Sequence, residues 1–504
     1  MIELDGEHLS LQQVERVARA RERAGLADAA RARVTASREF LELQASSGAK
    51  VYGVNTGFGR MAEVVISPEQ ATQLQENLVR SHAAGVDDPM PDEDVRAIMV
   101  LRANALARGL SGCRPVVIDF ILELLNRGVH PIVPRVGSVG ASGDLAPLAH
   151  VALALIGESS VRSNGEVRPT AEVLSELDLE PLALRAKEGL ALINGTQATT
   201  GLGVLALNDM QRTLEAAEVA GAMSLEALLG TPDAFDEEIQ AARPHAGQAA
   251  TAARLRHLLR DSEIRESHRQ DDPRVQDPYS LRCMPQVHGA ARQVLGYAHG
   301  VLEIEVNAAT DNPLVFAESE RILSGGNFHA QVVAQALDFL CIAAADLAAI
   351  SERRVERILN PDLSGLPAFL ARDAGLESGL MIVQVTAADL IGELRVLAHP
   401  ASVDSVSTNA AREDHVSMGL AAARKVKRAA ACVEAVIAIE LLCAAEGLEH
   451  RLPLRPGKGV ERAYAAIREH VPPLDGDRSP SADISRIREM IRGGAFDIQG
   501  ADEQ

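Results

Sequence analysis

The sequence predicts a mainly α-helical protein, a bundle of long helices with a smaller N-terminal portion. Residues 330 to about 359 are rich in Ala, Leu and Ile, contain neither Gly nor Pro, and are followed by Pro361. A helix filling that stretch would be roughly 45 Å long. Long apolar stretches also cover residues 202–229, 381–397 and 415–445. Aromatic residues make up 3% of the 504 residues, so burial must come from small apolar side chains covered by neighbouring helices. A bundle shared between subunits satisfies that need.

Along the chain, Pro115 opens and Gly128 closes a run in which Val117, Ile121, Leu124 and Leu125 share one face, a helix with both start and stop signals. A second, apolar helix is expected from Leu145. Residues 161–169 place Asn164-Gly165 between two short arms and predict a hairpin. The polar stretch 260–276 reads as a mobile loop, and the last fifty residues mix Pro, Gly and charge with short helical pieces. With no Pro/Gly/Ser-rich linker and no internal repeat, the expected division is an N-terminal portion over 1–200 and a helical region over 201–504.

The formal net charge is −20 and no long Lys/Arg run is present, which argues against nucleic acid or an anionic membrane as partner. Five cysteines without CxxC spacing suggest neither a disulfide framework nor a metal cluster, so no metal is expected. No signal peptide opens the sequence, and apolar runs such as 432–445 are interrupted by Glu434 and Glu440. A soluble, cytoplasmic protein is the expectation.

The most informative segment is GSVGASGDLAPLAH, residues 137–150. Its centre, Ala141-Ser142-Gly143, has the residues needed to make an electrophile from backbone. Attack of the Gly143 nitrogen on the Ala141 carbonyl carbon with loss of water closes a five-membered imidazolone; loss of water from Ser142 then exposes a methylidene carbon. Glycine tolerates the compressed geometry and alanine leaves the attacked carbonyl uncrowded. Taken alone, the glycines also admit a phosphate-binding or plain-turn reading. Against phosphate, no Lys-Ser or Lys-Thr follows the last glycine, and Asp144 would put a carboxylate where the anion should sit.

Together with this loop, YGVNTGFG (52–59), SHAAG (81–85), NGTQA (194–198), VQDPYSLRC (275–283), SGGNFHA (324–330), AHPASVDS (398–405) and EDHVSM (413–418) make the sequence resemble the aromatic amino-acid ammonia-lyases over nearly its whole length. The resemblance is strongest to their histidine-specific branch, because His82 follows Ser81. It implies a long-helix bundle of the ammonia-lyase/fumarase-like type and a homotetramer with sites assembled from several subunits. The implied reaction converts L-histidine to trans-urocanate and ammonia. The implied cofactor is the methylidene-imidazolone (MIO) formed from Ala141-Ser142-Gly143, with no diffusible cofactor.

The resemblance also suggests roles. Tyr52 is the candidate general base, although a phenol must have its pKa of ~10 lowered to serve, and a tyrosine packing a loop is the plainer reading. Arg282 is the expected carboxylate partner, since a planar guanidinium holds a carboxylate by two parallel bonds. Tyr279, Gln276 and Asn194 are expected to orient substrate or polarise the imidazolone oxygen. Phe328 would stack near the cofactor. His82, Glu413 and Met381 are candidates for ring recognition, with Glu413 also a possible acid or base.

Three departures bear on the substrate. Arg412 stands where the histidine-specific enzymes usually have Gln, and is expected to engage Glu413 and hold it ionised. Met284 replaces a commonly polar residue, and Gly392-Glu393-Leu394-Arg395 differs from the usual Ser-Glu-Asn-Lys. An MIO-dependent lyase or 2,3-aminomutase for another amino acid is therefore the alternative. A fumarase-type lyase, faintly echoed by SLRCMPQ (280–286), lacks the Lys expected after Met-Pro.

Overall fold

The structure, a computed structural model, describes residues 1–46, 53–54, 56–57, 66–67, 70–270, 272 and 274–498. Helices dominate it. The four longest are Gln197–Ala227, Met284–Glu305, Gln331–Leu359 and Gly419–Glu449. The chain forms two compact units, one gathering Met1–Leu205, His299–Asp338 and Pro400–Lys425, the other Ala206–Ala298, Phe339–His399 and Val426–Gln504. Each of the four longest helices contributes residues to both.

In the first unit the Asp92–Ala107 helix is buried continuously from Asp94 to Ala107, which explains why its sequence lacks an amphipathic stripe. It nevertheless carries Arg96 and Arg102, which donate mainly to backbone carbonyls. Arg96 donates to the carbonyls of Val17 (2.9 Å) and Leu125 (2.8 Å), and Arg102 to those of Asn194 (3.1 Å) and Ala191 and to Gln197 Oε1 at 2.8 Å. Both guanidinium pKa values are depressed by burial, that of Arg96 to about 10. Arg102 thereby ties down the carbonyl end of the short Glu188–Ile193 helix, whose next residue is Asn194.

The expected Pro115 helix spans Pro115–Asn126, and the Leu145 helix spans Leu145–Leu155. The 161–169 hairpin forms as strands Ser160–Ser163 and Glu166–Pro169, with Asn164 and Gly165 both left-handed (φ 51° and 85°), as a type I′ turn requires. With His130–Pro131 they make a three-stranded antiparallel sheet, and small two-stranded pairings elsewhere have no strong sequence signal. The second unit is organised around buried ion pairs. Arg354 makes two bonds to Glu440 (2.6 and 2.8 Å) with both side chains fully buried, and Ser224 and Ser351 donate to the same carboxylate.

Three expectations shift. The 202–229 helix runs Gln197–Ala227 instead; Gly201 and Gly203 lie inside it, where a Cβ would come within 3.2 Å of Ala97 and 2.9 Å of Leu337, so these glycines permit close helix packing rather than end a helix. The 415–445 helix begins at Gly419 and ends at Glu449, because 415–418 are held in tertiary bonds, including Val416 N to Ser405 Oγ at 2.9 Å and Ser417 Oγ to the Gly140 carbonyl at 3.0 Å. The 260–276 stretch is not all loop, since Ser262 caps a turn of helix at Glu263–Ser267. Among the described residues, two stretches, Glu188–Ala227 and Gln331–Leu359, are long and apolar enough to cross a membrane, yet their apolar windows are 100% and 61% buried in the fold.

Candidate active site

The 137–144 loop is clamped on both sides of Ala141. Gly140 N donates to Ser138 Oγ (3.0 Å) while its carbonyl accepts from Ser417 Oγ (3.0 Å), and Met418 N donates to the Val139 carbonyl (2.8 Å). Downstream, Asp144 N donates to the Gly195 carbonyl at 2.6 Å. The fully buried Asp144 carboxylate accepts from Ser138 Oγ (2.9 Å), Thr199 Oγ1 (2.9 Å) and Thr199 N (2.7 Å). Burial pushes that carboxyl above its ordinary range, against these hydrogen bonds.

Between the clamps, Gly143 is left-handed (φ 78°), and a Cβ there would lie 2.4 Å from the Gly195 oxygen. Only glycine fits. Ala141 is buried and Ser142 half-buried. Asn194 Nδ2 donates to the Ser142 carbonyl at 2.7 Å, while its Oδ1 is buried without a hydrogen-bond partner. The residues present fit the imidazolone. Its ring carbonyl would be that of Ser142, where a side-chain donor is already aimed, and its ring nitrogen that of Gly143, where no side chain can intrude.

Ser142 opens onto a cavity of about 560 Å³ whose described lining belongs to the first unit and includes His82, Asn194, Phe328 and Glu413. Glu413 Oε1 accepts from Ser142 Oγ at 2.8 Å and Oε2 from Thr408 Oγ1 at 2.6 Å. A tight turn presents it: Asn409, Ala410 and Ala411 are all left-handed (φ 51–63°), closed by the Thr408–Glu413 bridge. Three consecutive non-glycine residues in that region are costly, by of order 1 kcal/mol each. His82 ends the Ala71–His82 helix, and its Nδ1 lies 2.8 Å from the Leu78 carbonyl. That contact selects the tautomer with the proton on Nδ1 and leaves Nε2 an acceptor.

Tyr52 lies outside the described residues. Gln276, Tyr279, Arg282 and Met381 belong to the second unit and are not among the residues lining this cavity. Tyr279 is 70% exposed, with the Arg282 guanidinium 4.6 Å above its ring. Arg412 does not engage Glu413 as expected, because that carboxylate already accepts from Ser142 and Thr408; the guanidinium makes no hydrogen bond or ion pair with described residues. Sequence reading missed Asn312, a lining residue whose backbone N donates to Asp311 Oδ1 (2.7 Å), itself fixed by the buried Lys187–Asp311 pair (2.8 Å). Its only local signal is Asn before Pro, an ordinary turn.

The chain matches the family described as aromatic amino acid lyase across residues 9–469. It is 52% identical over 493 residues to a histidine ammonia-lyase of Stigmatella aurantiaca, covering 98% of this chain and 96% of that protein. Among solved structures, histidine ammonia-lyase from Trypanosoma cruzi superposes with a TM-score of 0.92 at 43% identity, covering 98% and 94% of the two chains. Tyrosine aminomutase from Streptomyces globisporus gives a TM-score of 0.94 at 39% identity, covering 99% of each. The clamped Ala141-Ser142-Gly143 loop, the donor aimed at its carbonyl and this similarity along nearly the whole length lead to one conclusion: the chain belongs to the aromatic amino acid lyase family.

Proposed function

We propose that this protein removes ammonia from L-histidine without oxidation, giving trans-urocanate. The observation that carries the reading is the meeting of Ser142, Asn194, Glu413 and His82 at one cavity. The reaction is difficult because the β-proton is weakly acidic and the amine leaves poorly. The family's self-formed imidazolone, made without a diffusible cofactor, supplies the electrophile that eases the elimination.

The chain's own residues do the rest. Asn194 donates to the Ser142 carbonyl oxygen and draws electron density toward it. His82, with Nδ1 engaged, offers Nε2 as acceptor to the N–H of an imidazole side chain. Glu413, held by Thr408 at Oε2 and released at Oε1 once the Ser142 hydroxyl has left, attracts the ammonium group or moves a proton. Phe328 flanks the ring of the substrate. Tyr52 removes the β-proton.

Arg282 holds the substrate carboxylate, with Tyr279 and Gln276 orienting it and Met381 lining the pocket, all four supplied by another copy in a homotetramer. Supporting that assembly, the Met381–Leu397 helix leaves Ile382 (64%), Val385 (58%) and Val396 (75%) exposed, apolar surface that a partner would cover. The setting is the cytoplasm.

The likeness to a tyrosine aminomutase keeps a second reading in view, the same electrophile acting on another amino acid or moving the amine to the β-carbon. The test is to incubate purified protein with L-histidine, following urocanate by ultraviolet absorbance and ammonia in parallel, with Ser142→Ala as control. Both products, only with Ser142 present, are expected. A β-amino acid, or product from another amino acid alone, would replace this reading with the second.

A further inference from the structure

Among its described lining residues the cavity has one permanent cation, Arg412, and one carboxylate, Glu413. Arg412 is exposed, so it stands at the rim. Its backbone is fixed by the tight turn, with its own N–H donating to the Asn409 carbonyl at 3.1 Å. Its guanidinium makes no hydrogen bond or ion pair with described residues, whereas Glu413 beside it is held by Thr408, a bond that does not depend on the Ser142 hydroxyl. A planar five-donor group with no partner among the described residues, carried on a fixed turn at the mouth of a reaction cavity, is a ready carboxylate receptor. It stands where a neutral amide is usual among the histidine-specific relatives described above.

We infer that Arg412 is a specificity-determining residue that makes this cavity favour carboxylates lacking an α-amine, the product class, over the zwitterionic amino acid. The inference rests on the proposed deamination. An α-amino acid brings a cation and an anion, so the attraction of its ammonium to Glu413 is opposed by Arg412 and only its carboxylate gains. Once ammonia has left, the ligand carries a single negative charge, the opposing contribution disappears, and the attraction of Arg412 for the carboxylate, added to the hold assigned above to Arg282, remains. Charge-assisted bonds of this kind are worth enough to change affinity by about tenfold. The enzyme is thus expected to hold its product more tightly than one with an amide at this position, and to be inhibited by it.

The experiment is titration calorimetry of the intact protein, Arg412→Gln and Arg412→Lys with trans-urocanate and with cinnamate, beside the KM of each for L-histidine. Both amine-free carboxylates are expected to bind about tenfold more weakly to Arg412→Gln, with Arg412→Lys between, while KM for L-histidine changes by less than about threefold. Raising salt should shrink the difference between the variants by screening the rim charge. Equal affinities in the intact protein and Arg412→Gln, or no binding of either carboxylate, would overturn the inference. Absence of histidine turnover with Arg412-dependent cinnamate binding intact would instead sink the proposed function and leave the inference standing.

Discussion

Ser142 Oγ donates to Glu413 Oε1 over 2.8 Å, although 271 positions separate them. The hydroxyl that must be lost to form the electrophile therefore rests against the carboxylate that the left-handed turn at 409–411 presents to the cavity. Replacing Glu413 by Gln keeps an acceptor for the hydroxyl but removes the charge and the ability to take a proton. Turnover of L-histidine is expected to fall about 10²–10⁴-fold. Intact mass spectrometry should still show the loss of both waters, since the backbone clamps around Ala141 do not depend on Glu413. An unmodified mass would move Glu413 from catalysis to cofactor formation.

Asn194 supplies the side-chain donor at the Ser142 carbonyl. Asn194→Ala removes a donor already aimed at that oxygen, and kcat is expected to drop about 10²–10³-fold. A change confined to KM would show that Asn194 only binds substrate.

At Gly143 the constraint is space and backbone conformation together. Gly143→Ala would drive a methyl toward the Gly195 oxygen, 2.4 Å from the ideal Cβ, at a φ of 78°. The loop must shift, so the variant is expected to keep the mass of the unmodified chain and to lack activity while its far-ultraviolet circular dichroism stays helical. Normal water loss in this variant would refute the compression argument for ring closure.

The Arg354–Glu440 pair tests stability apart from catalysis. Both groups are fully buried, and Glu440 accepts from two serines as well. Glu440→Ala strands a buried guanidinium and is expected to cost about 3–5 kcal/mol, whereas Arg354→Met with Glu440→Leu together should cost far less. Denaturant unfolding of both variants measures the contrast. Equal losses would mean that the ion pair itself, and not the stranded charge, carries the energy.

Glu226 gives stability a pH dependence. Burial pushes its carboxyl up to about 7, despite hydrogen bonds from Ser262 and the Gly457 N–H. Between its ordinary value of 4.5 and 7 the folded state holds the proton more firmly than the unfolded state. Its contribution is thus full below that window and lost as pH rises through it, by of order 3 kcal/mol. Glu226→Gln cannot titrate. The stability difference, variant minus wild type, should therefore rise from pH 4.5 to 7 and then level off, and a flat difference would show that the group titrates normally.

How much was readable in the sequence depended on whether the signal was local. The Pro115–Asn126 helix and the Asn164-Gly165 hairpin follow from neighbouring residues and appear where expected. The start of the Gly419–Glu449 helix does not, because Ser417 and Val416 give up helical bonds for partners at Gly140 and Ser405. Asn312 carried no recognisable signal, since its position derives from the buried Lys187–Asp311 pair, whose members are 124 positions apart.

By itself the sequence determined the helical class, the chemistry latent in Ala141-Ser142-Gly143 and the motifs that mark the family, because composition, periodicity and residue type are properties of the chain. Tertiary structure alone decided that Asn194 points its amide at the Ser142 carbonyl, that Glu413 rather than Arg412 meets the Ser142 hydroxyl, and that Arg412 is left without a partner among the described residues. The physical reason is that hydrogen bonds act over about 3 Å. Which donors and acceptors come within that reach is set by how distant segments pack, a relation that no local stretch of sequence encodes.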